Sequence, residues 1–455
     1  MKSCIFICVF NNEEYIRMLH MLLESIFIYG QLNDSIDILI YTSYDFMYKI
    51  KQSHLYTDKI KFEINDSYTS IDKACKARLD IFDFPSIQKY NKILYLDTDI
   101  IVKGSLEKVF DSIECTEEKL YAVEEGTIDS ETDFWGKSLF GDELDSYPEK
   151  DAFSSGILLF NNCTKVKQFF DIVKSDMKSR SHFFHDQPYI VYNAFKYNMY
   201  NNKVLKSLCV NNNYNVMSDK SIHHFPGGPG EHLDKLRHMN TFLTSLKDNT
   251  ITQNIEKTKE YINTYLMPII SECGEKLEGN IFMLHEKATY TDLYLPKAKN
   301  ISNVVLNTNI KRGMEIGFNA GFSTLLMLFS NPNLYMTCFD LGEHSYTLPC
   351  FQQLKKTFGK RISILLGDST KVLPSVDASF DFIHIDGGHE TEIVISDIRN
   401  CYRFCEKQTI VIMDDYDFTQ ISRLWDEHVK LYSFAPLDIH IYRNPYQDIR
   451  FMKMK

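Results

Sequence analysis

Residues 93–102 read Ile-Leu-Tyr-Leu-Asp-Thr-Asp-Ile-Ile-Val, an apolar run broken only by two carboxylates one residue apart. The run reads as a buried strand. On an extended strand residues i and i+2 face the same way, so Asp97 and Asp99 are expected to grip one cation at the strand's end. That cation would in turn hold a diphosphate. A strand ending in a solvated, Asp-rich turn would look the same locally, and a second Asp-x-Asp, Asp415-Tyr416-Asp417, stands in a different setting. The surroundings of the pair must therefore carry the assignment.

Those surroundings alternate strand and helix. Residues 4–10 form an apolar strand, and 15–29 repeat Ile16, Leu19, Leu22, Leu23 and Ile26 at helical spacing before closing at Gly30. Strands at 36–41 and 59–64 flank a short helix at 44–52, and a helix over 70–82 delivers the chain into the Asp97 strand. The expected class is α/β with a mostly parallel sheet, whose ligands gather at the carboxyl ends of strands. A further strand, 153–161, is entered through Ser154, Ser155 and Gly156, small residues that let a ligand approach the backbone. Asp186 and Gln187 open an apolar helix, where a carboxylate and an amide serve equally as caps. The stiff segment from Ile222 to Gly230 offers His223 and His224, and its Gly and Pro residues suit a backbone wrapping a diphosphate.

Taken in order, Phe10-Asn11-Asn12 with Tyr15, Arg78, Tyr95-Leu96-Asp97-Thr98-Asp99, Phe153-Ser154-Ser155-Gly156, Asp186-Gln187 and His224-Phe225-Pro226-Gly227 resemble a family 8 glycosyltransferase of the glycogenin and galactosyltransferase group, over roughly residues 1–240. The resemblance implies a GT-A-type nucleotide-sugar-binding domain, a UDP-hexose donor, manganese, and retention of anomeric configuration. It implies Asp97, Asp99 and His224 as metal ligands, with His224 preferred to His223 because an aromatic follows it. Phe10, Asn11, Tyr15, Arg78, Ser154 and Gly227 would meet the donor, and Asp186 and Gln187 would flank the anomeric carbon as charge stabiliser or transient nucleophile. Two positions depart from the family pattern: Ser154 stands where Asn is usual, and Gly230 where Lys is usual, which leaves Lys235 to supply a positive contact.

At 455 residues the chain exceeds one core. The boundary is placed near 245, with a linker or helical packing segment over 246–300, including a helix at 253–266, and a second domain over 301–455. There the segment from Arg312 to Ser323 passes from strand through a glycine turn into a helix, a nucleotide cradle in which Asn319 replaces the middle glycine of the dinucleotide fingerprint. Strands at 335–340, 362–368, 380–386 and 409–414 each end in an acid, although strand-end Asp residues are also ordinary turn formers. Glu315-Ile316-Gly317 through Gly321, Asp340, Gly367-Asp368-Ser369, Asp386-Gly387-Gly388-His389 and Met413-Asp414-Asp415 together resemble a class I S-adenosylmethionine-dependent O-methyltransferase with a Rossmann-like fold. By that resemblance Glu315, Gly317, Gly321, Asp340 and Asp368 hold S-adenosylmethionine, and Asp386, Asp414 and Asp415 hold a metal, magnesium in several relatives. His389 is the candidate base, with an orienting role as its alternative.

Fifty Lys and Arg against 61 Asp and Glu leave a net charge of −11 with no basic block, which argues against nucleic acid as a partner. No apolar stretch reaches bilayer length, and the 11 scattered Cys suggest reduced thiols in a cytoplasmic compartment. The sequence is therefore read as a bifunctional enzyme that adds a hexose to a glycan or glycosylated acceptor and O-methylates a glycan. Its rivals are a methyltransferase with a decayed, UDP-sugar-binding transferase domain, and a non-enzymatic glycan-binding module.

Overall fold

The first strand, β1 (Ser3–Val9), sends Cys4 and Phe6 into one apolar cluster and Ile5, Ile7 and Val9 into another. Both faces of its sheet are therefore covered, which is why the run is continuously apolar instead of alternating. Among the strands β2 (Ile36–Thr42), β3 (Ile60–Ile64) and β4 (Lys92–Leu96), β1 pairs with β2 on one side and β4 on the other, all parallel. The chain then leaves this sheet. β5 (Ile100–Val102) belongs to a separate three-stranded sheet, and the seven-stranded sheet is completed by β6 (Leu120–Thr127), β7 (Asp151–Asn161) and β8 (Tyr200–Asn201) in the order β3-β2-β1-β4-β7-β6-β8. β7 runs antiparallel to both β4 and β6 and is the one reversed strand, so the sheet is mixed yet mostly parallel, as expected. The small sheet adds β9 (Cys209–Asn211) and β10 (Ile222–His224) in the order β5-β10-β9.

The computed structural model describes residues 2–212, 217–227, 232–284, 288–437, 439–443 and 449–454. The chain divides into two compact units, Met1–Ser245 and Leu246–Lys455. Helix Glu13–Tyr29 starts where the Asn12 side chain accepts the Glu14 N–H, and helix Tyr44–Gln52 where Ser43 caps Phe46. The single helix expected over 70–82 is instead a short α-turn, Ile71–Ala74, followed by a 3-10 stretch, Ala77–Asp83. The tighter winding buries Ala77, Leu79, Ile81 and Phe82. The helix expected at 253–266 is the end of a longer one, His232–Tyr261, which continues as a π-turn over Ile262–Leu266.

In the second unit, after a two-stranded ribbon of β11 (Met283–Leu284) and β12 (Thr289–Tyr290), β13 (Arg312–Ile316) pairs parallel with β14 (Tyr335–Asp340) and β16 (Phe380–Ile385). With β15 (Ile362–Leu366), β17 (Cys405–Met413), β18 (Phe434–Pro436) and β19 (Arg450–Met454) the order is β15-β14-β13-β16-β17-β19-β18, with β19 antiparallel to both of its neighbours. In each unit the chain first winds outward from one strand, β1 or β13, and then crosses to that strand's other side. That reversal leaves a crevice at the carboxyl ends, where ligands of such sheets bind. No helix among the described residues is long and apolar enough to cross a membrane.

Candidate active sites of the two units

Asp97 and Asp99 do not lie on a strand. They sit on the bend between Leu96, which ends β4, and Ile100, which starts β5, because the chain changes sheets there. The bend still turns both carboxylates to one point. β10 runs antiparallel to β5 with His224 opposite Ile100, and the Phe225 N–H is 2.9 Å from the Asp99 carbonyl. Ligand atoms of Asp97, Asp99 and His224 all fall within 4.8 Å of one another.

The imidazole is oriented for this. Asn211 Oδ1 lies 2.9 Å from His224 Nδ1, and because an amide oxygen only accepts, the ring proton sits on Nδ1 and Nε2 is left as the ligand atom. His223 is fully buried, with its ring 4.6 Å from that of Phe242, and serves as core. Asp99 is buried, and its Oδ1 has no hydrogen-bond partner, lying 3.4 Å from His224 Nε2. Burial opposes its ionisation, yet Lys235, 2.5 Å from Oδ2, and His224 hold the carboxyl well below the usual range. Gly156 is required by close approach: a Cβ there would fall 2.5 Å from His224 Cε1 and 3.0 Å from Asp97 Oδ2. Gly156, midway along β7, thus makes room for the protein's own candidate ligands.

Asp186 caps nothing. It is 3% exposed and ion-paired to Arg78 Nε at 2.8 Å, and burial raises its carboxyl despite that guanidinium. Arg78 also donates to the Ser155 carbonyl at 2.6 Å and lies over the Tyr95 ring, whose hydroxyl donates to Asp97. Gln187 Oε1 accepts from Ser155 N and Oγ, so this amide holds strand β7 and has no free oxygen to offer a substrate. A cleft of about 380 Å³ brings together Asp97, Asp99, Ser154, Asp186, His224 and Gly227. An adjoining one of about 180 Å³ holds Phe10, Asn11 and Tyr15, with Arg78, Asp97 and Lys235 bordering both. Glu125, Trp135 and Phe184 also line the larger cleft, and no local pattern announces them. Gly230 falls outside the described residues.

In the second unit, Gly317 and Gly321 have φ of +91° and +77°. A Cβ at Gly317 would strike the Asp386 carbonyl oxygen at 1.8 Å, so β13 and β16 can close on each other only with glycine there. Asp340 accepts the Asn319 N–H at 2.7 Å and the Gly342 N–H at 2.8 Å, fixing the glycine loop beside a cavity of about 560 Å³. That size and that backbone cradle fit a cofactor such as S-adenosylmethionine.

Three expected positions are corrected. Glu315 is fully buried behind the loop, where Ser323, Thr324 and His384 bond its carboxylate, so it anchors the loop instead of meeting the cofactor. Asp368 caps its own short helix through Thr370 and pairs with Lys371 at 2.9 Å. Asp415 does not join Asp386 and Asp414: the carboxylate pair gathers with His384, while Asp415 holds His389 Nε2 at 2.9 Å. His389 lines the cavity with its ring 4.9 Å from Phe418, and the bond to Asp415 raises its pKa.

Two family models match the chain: "Glycosyl transferase family 8" over residues 32–225 and "Methyltransferase domain" over residues 314–416. No curated protein matches. Among solved structures, mouse xyloside xylosyltransferase 1 in its apo form is 11% identical over 51% of this chain and 99% of its own, with a TM-score of 0.37. The O-methyltransferase from Bacillus cereus in complex with SAH is 13% identical over 45% of this chain and 100% of its own, at 0.33. The glycosyltransferase GlyE of Streptococcus pneumoniae is 13% identical over 88% of this chain and 89% of its own, at 0.34.

Proposed function

From a chain that carries a family 8 glycosyltransferase domain followed by a methyltransferase domain, we propose a bifunctional enzyme that transfers a hexose from a UDP-sugar to a glycan or glycosylated acceptor, with retention, and O-methylates a glycan. The observation that carries the first half is the meeting of Asp97, Asp99 and His224 in one cleft, with a buried carboxylate oxygen lacking a partner. Two carboxylates and an imidazole suit a divalent ion such as manganese, which when bound supplies positive charge to a departing diphosphate. Lys235 brings fixed positive charge to the same cleft, which favours an active domain over a decayed one. Asp186, held by Arg78, is the anion available to oxocarbenium character at the anomeric carbon, and Gln187 positions strand β7 at Ser155.

In the second half S-adenosylmethionine supplies an already activated methyl group. His389, held by Asp415 at the wall of the cavity, would take the proton of an acceptor hydroxyl as that oxygen receives the methyl group. The test is mass spectrometry of a glycan library incubated with mixed UDP-sugars, manganese and S-adenosylmethionine. Hexose and methyl additions are expected. UDP-sugar binding without either transfer or hydrolysis would return the first domain to a binding role.

A further inference from the structure

The acids at the ends of β16 and β17 already have a cation. Lys297, on helix Leu295–Val305, is 4% exposed and its Nζ lies 2.7 Å from Asp414 Oδ2. The same oxygen lies 3.1 Å from His384 Nε2, and Asp414 Oδ1 accepts the Asp415 N–H at 2.7 Å. His384 Nδ1 is 2.9 Å from Glu315 Oε1. The four buried groups therefore alternate in sign, Glu315, His384, Asp414, Lys297, each charge facing an opposite one.

A divalent ion does not fit here. Metal ligands must present lone pairs. Both ring nitrogens of His384 face carboxylate oxygens, so neither is left as a ligand atom. Asp414 has both oxygens engaged, and Asp415 is turned to His389. An ion bound at Asp386 would stand against the Lys297 ammonium, which lines the same cavity.

We propose that Lys297 takes the place of a divalent metal in the methyltransferase half, making this half metal-independent and placing a fixed ammonium in the cavity that also holds His389 and Asp386. An ammonium with three donors, one of them used by Asp414, can balance Asp386 and orient an acceptor oxygen by N–H donation, but it offers no empty orbital to coordinate that oxygen and leaves proton removal to His389. The inference rests on the O-methyltransferase reading.

The experiment uses the full chain with Asp97→Asn and His224→Ala, which removes the glycosyltransferase metal site. Bound manganese is counted by electron paramagnetic resonance with and without S-adenosylhomocysteine. No bound ion is expected in either case, and Lys297→Ala added to this background is expected to create a site. One ion retained while Lys297 is intact, and released by Asp386→Asn, would overturn the proposal even if the Lys297 variant fails to fold. In parallel, S-adenosylhomocysteine in EDTA is expected to raise the thermal stability of the unaltered chain. A shift that appears only with magnesium also overturns the proposal, whereas no shift under any condition counts against the methyltransferase reading itself.

Discussion

The strand orders β3-β2-β1-β4 and β15-β14-β13-β16 repeat one plan, and each unit sets its carboxylates at the same reversal of direction. Each cluster also contains a histidine and a lysine, yet the two are wired differently. His224 gives one nitrogen to a neutral amide and keeps the other for the cluster, and Asp99 retains an oxygen with no hydrogen-bond partner. His384 gives both nitrogens to carboxylates, and Lys297 completes the chain from within. Acids at strand ends therefore do not by themselves specify a metal. What specifies it is whether the protein leaves their charge and lone pairs unmatched.

The strongest way to break this comparison is Asp97→Asn. Removing one ligand of the proposed cation, which would contribute several kcal/mol, should lower sugar transfer about 10³-fold and spare methyl transfer. Loss of both activities together would show that the two sites are not independent. On the other side, Lys297→Ala takes one of its two cationic neighbours from buried Asp414, leaves the four-group array with an excess negative charge, and should cost the second unit about 3–5 kcal/mol in a denaturant titration. Trp425, buried in that unit, reports the unfolding once Trp135 is replaced by Phe. A Lys297→Met, Asp414→Leu double variant should recover most of the loss.

A smaller effect is expected at the orienting amide. Asn211→Ala should weaken manganese affinity by about 10–100-fold while leaving the binding of S-adenosylhomocysteine unchanged, both measurable by calorimetry. The smallest test is pH. His384 is raised from 6.5 to about 10 against the cost of its burial, by Asp414 and Glu315. Its contribution to stability is complete below 6.5 and is lost as pH rises through about 10. Asp386, pushed up to about 7 by burial and by the charge of Asp414, acts in the same direction at lower pH, between 3.8 and 7. The Trp425-reported midpoint should therefore fall steadily from mildly acidic to alkaline solution. A midpoint that rises over that range would mean that His384 is not a buried cation.

Much of this protein is legible along the chain. The helix over residues 44–52 and the strands beginning at Ile36 and Tyr335 follow from local periodicity and a Ser cap, signals contained within a few residues. The ordered motifs pointed to both domain families. The bend at Asp97 and Asp99 was not legible, because an apolar run crossing from one sheet to another looks the same as one that stays. Nor was the split of 70–82, where burial of Leu79, Ile81 and Phe82 chose the tighter turn.

The sequence by itself determined the strand and helix succession and the placing of an acid at the end of strand after strand. Only the tertiary structure decided what each acid does. Lys235 reaches Asp99, Lys297 reaches Asp414, Asn211 fixes His224, and Glu315 turns away from the cofactor cavity to His384. The reason is physical: hydrogen-bonding preference is written in a residue's type and immediate neighbours, whereas the energy of a buried charge depends on the groups within a few ångströms of it, and folding draws those from anywhere in the chain.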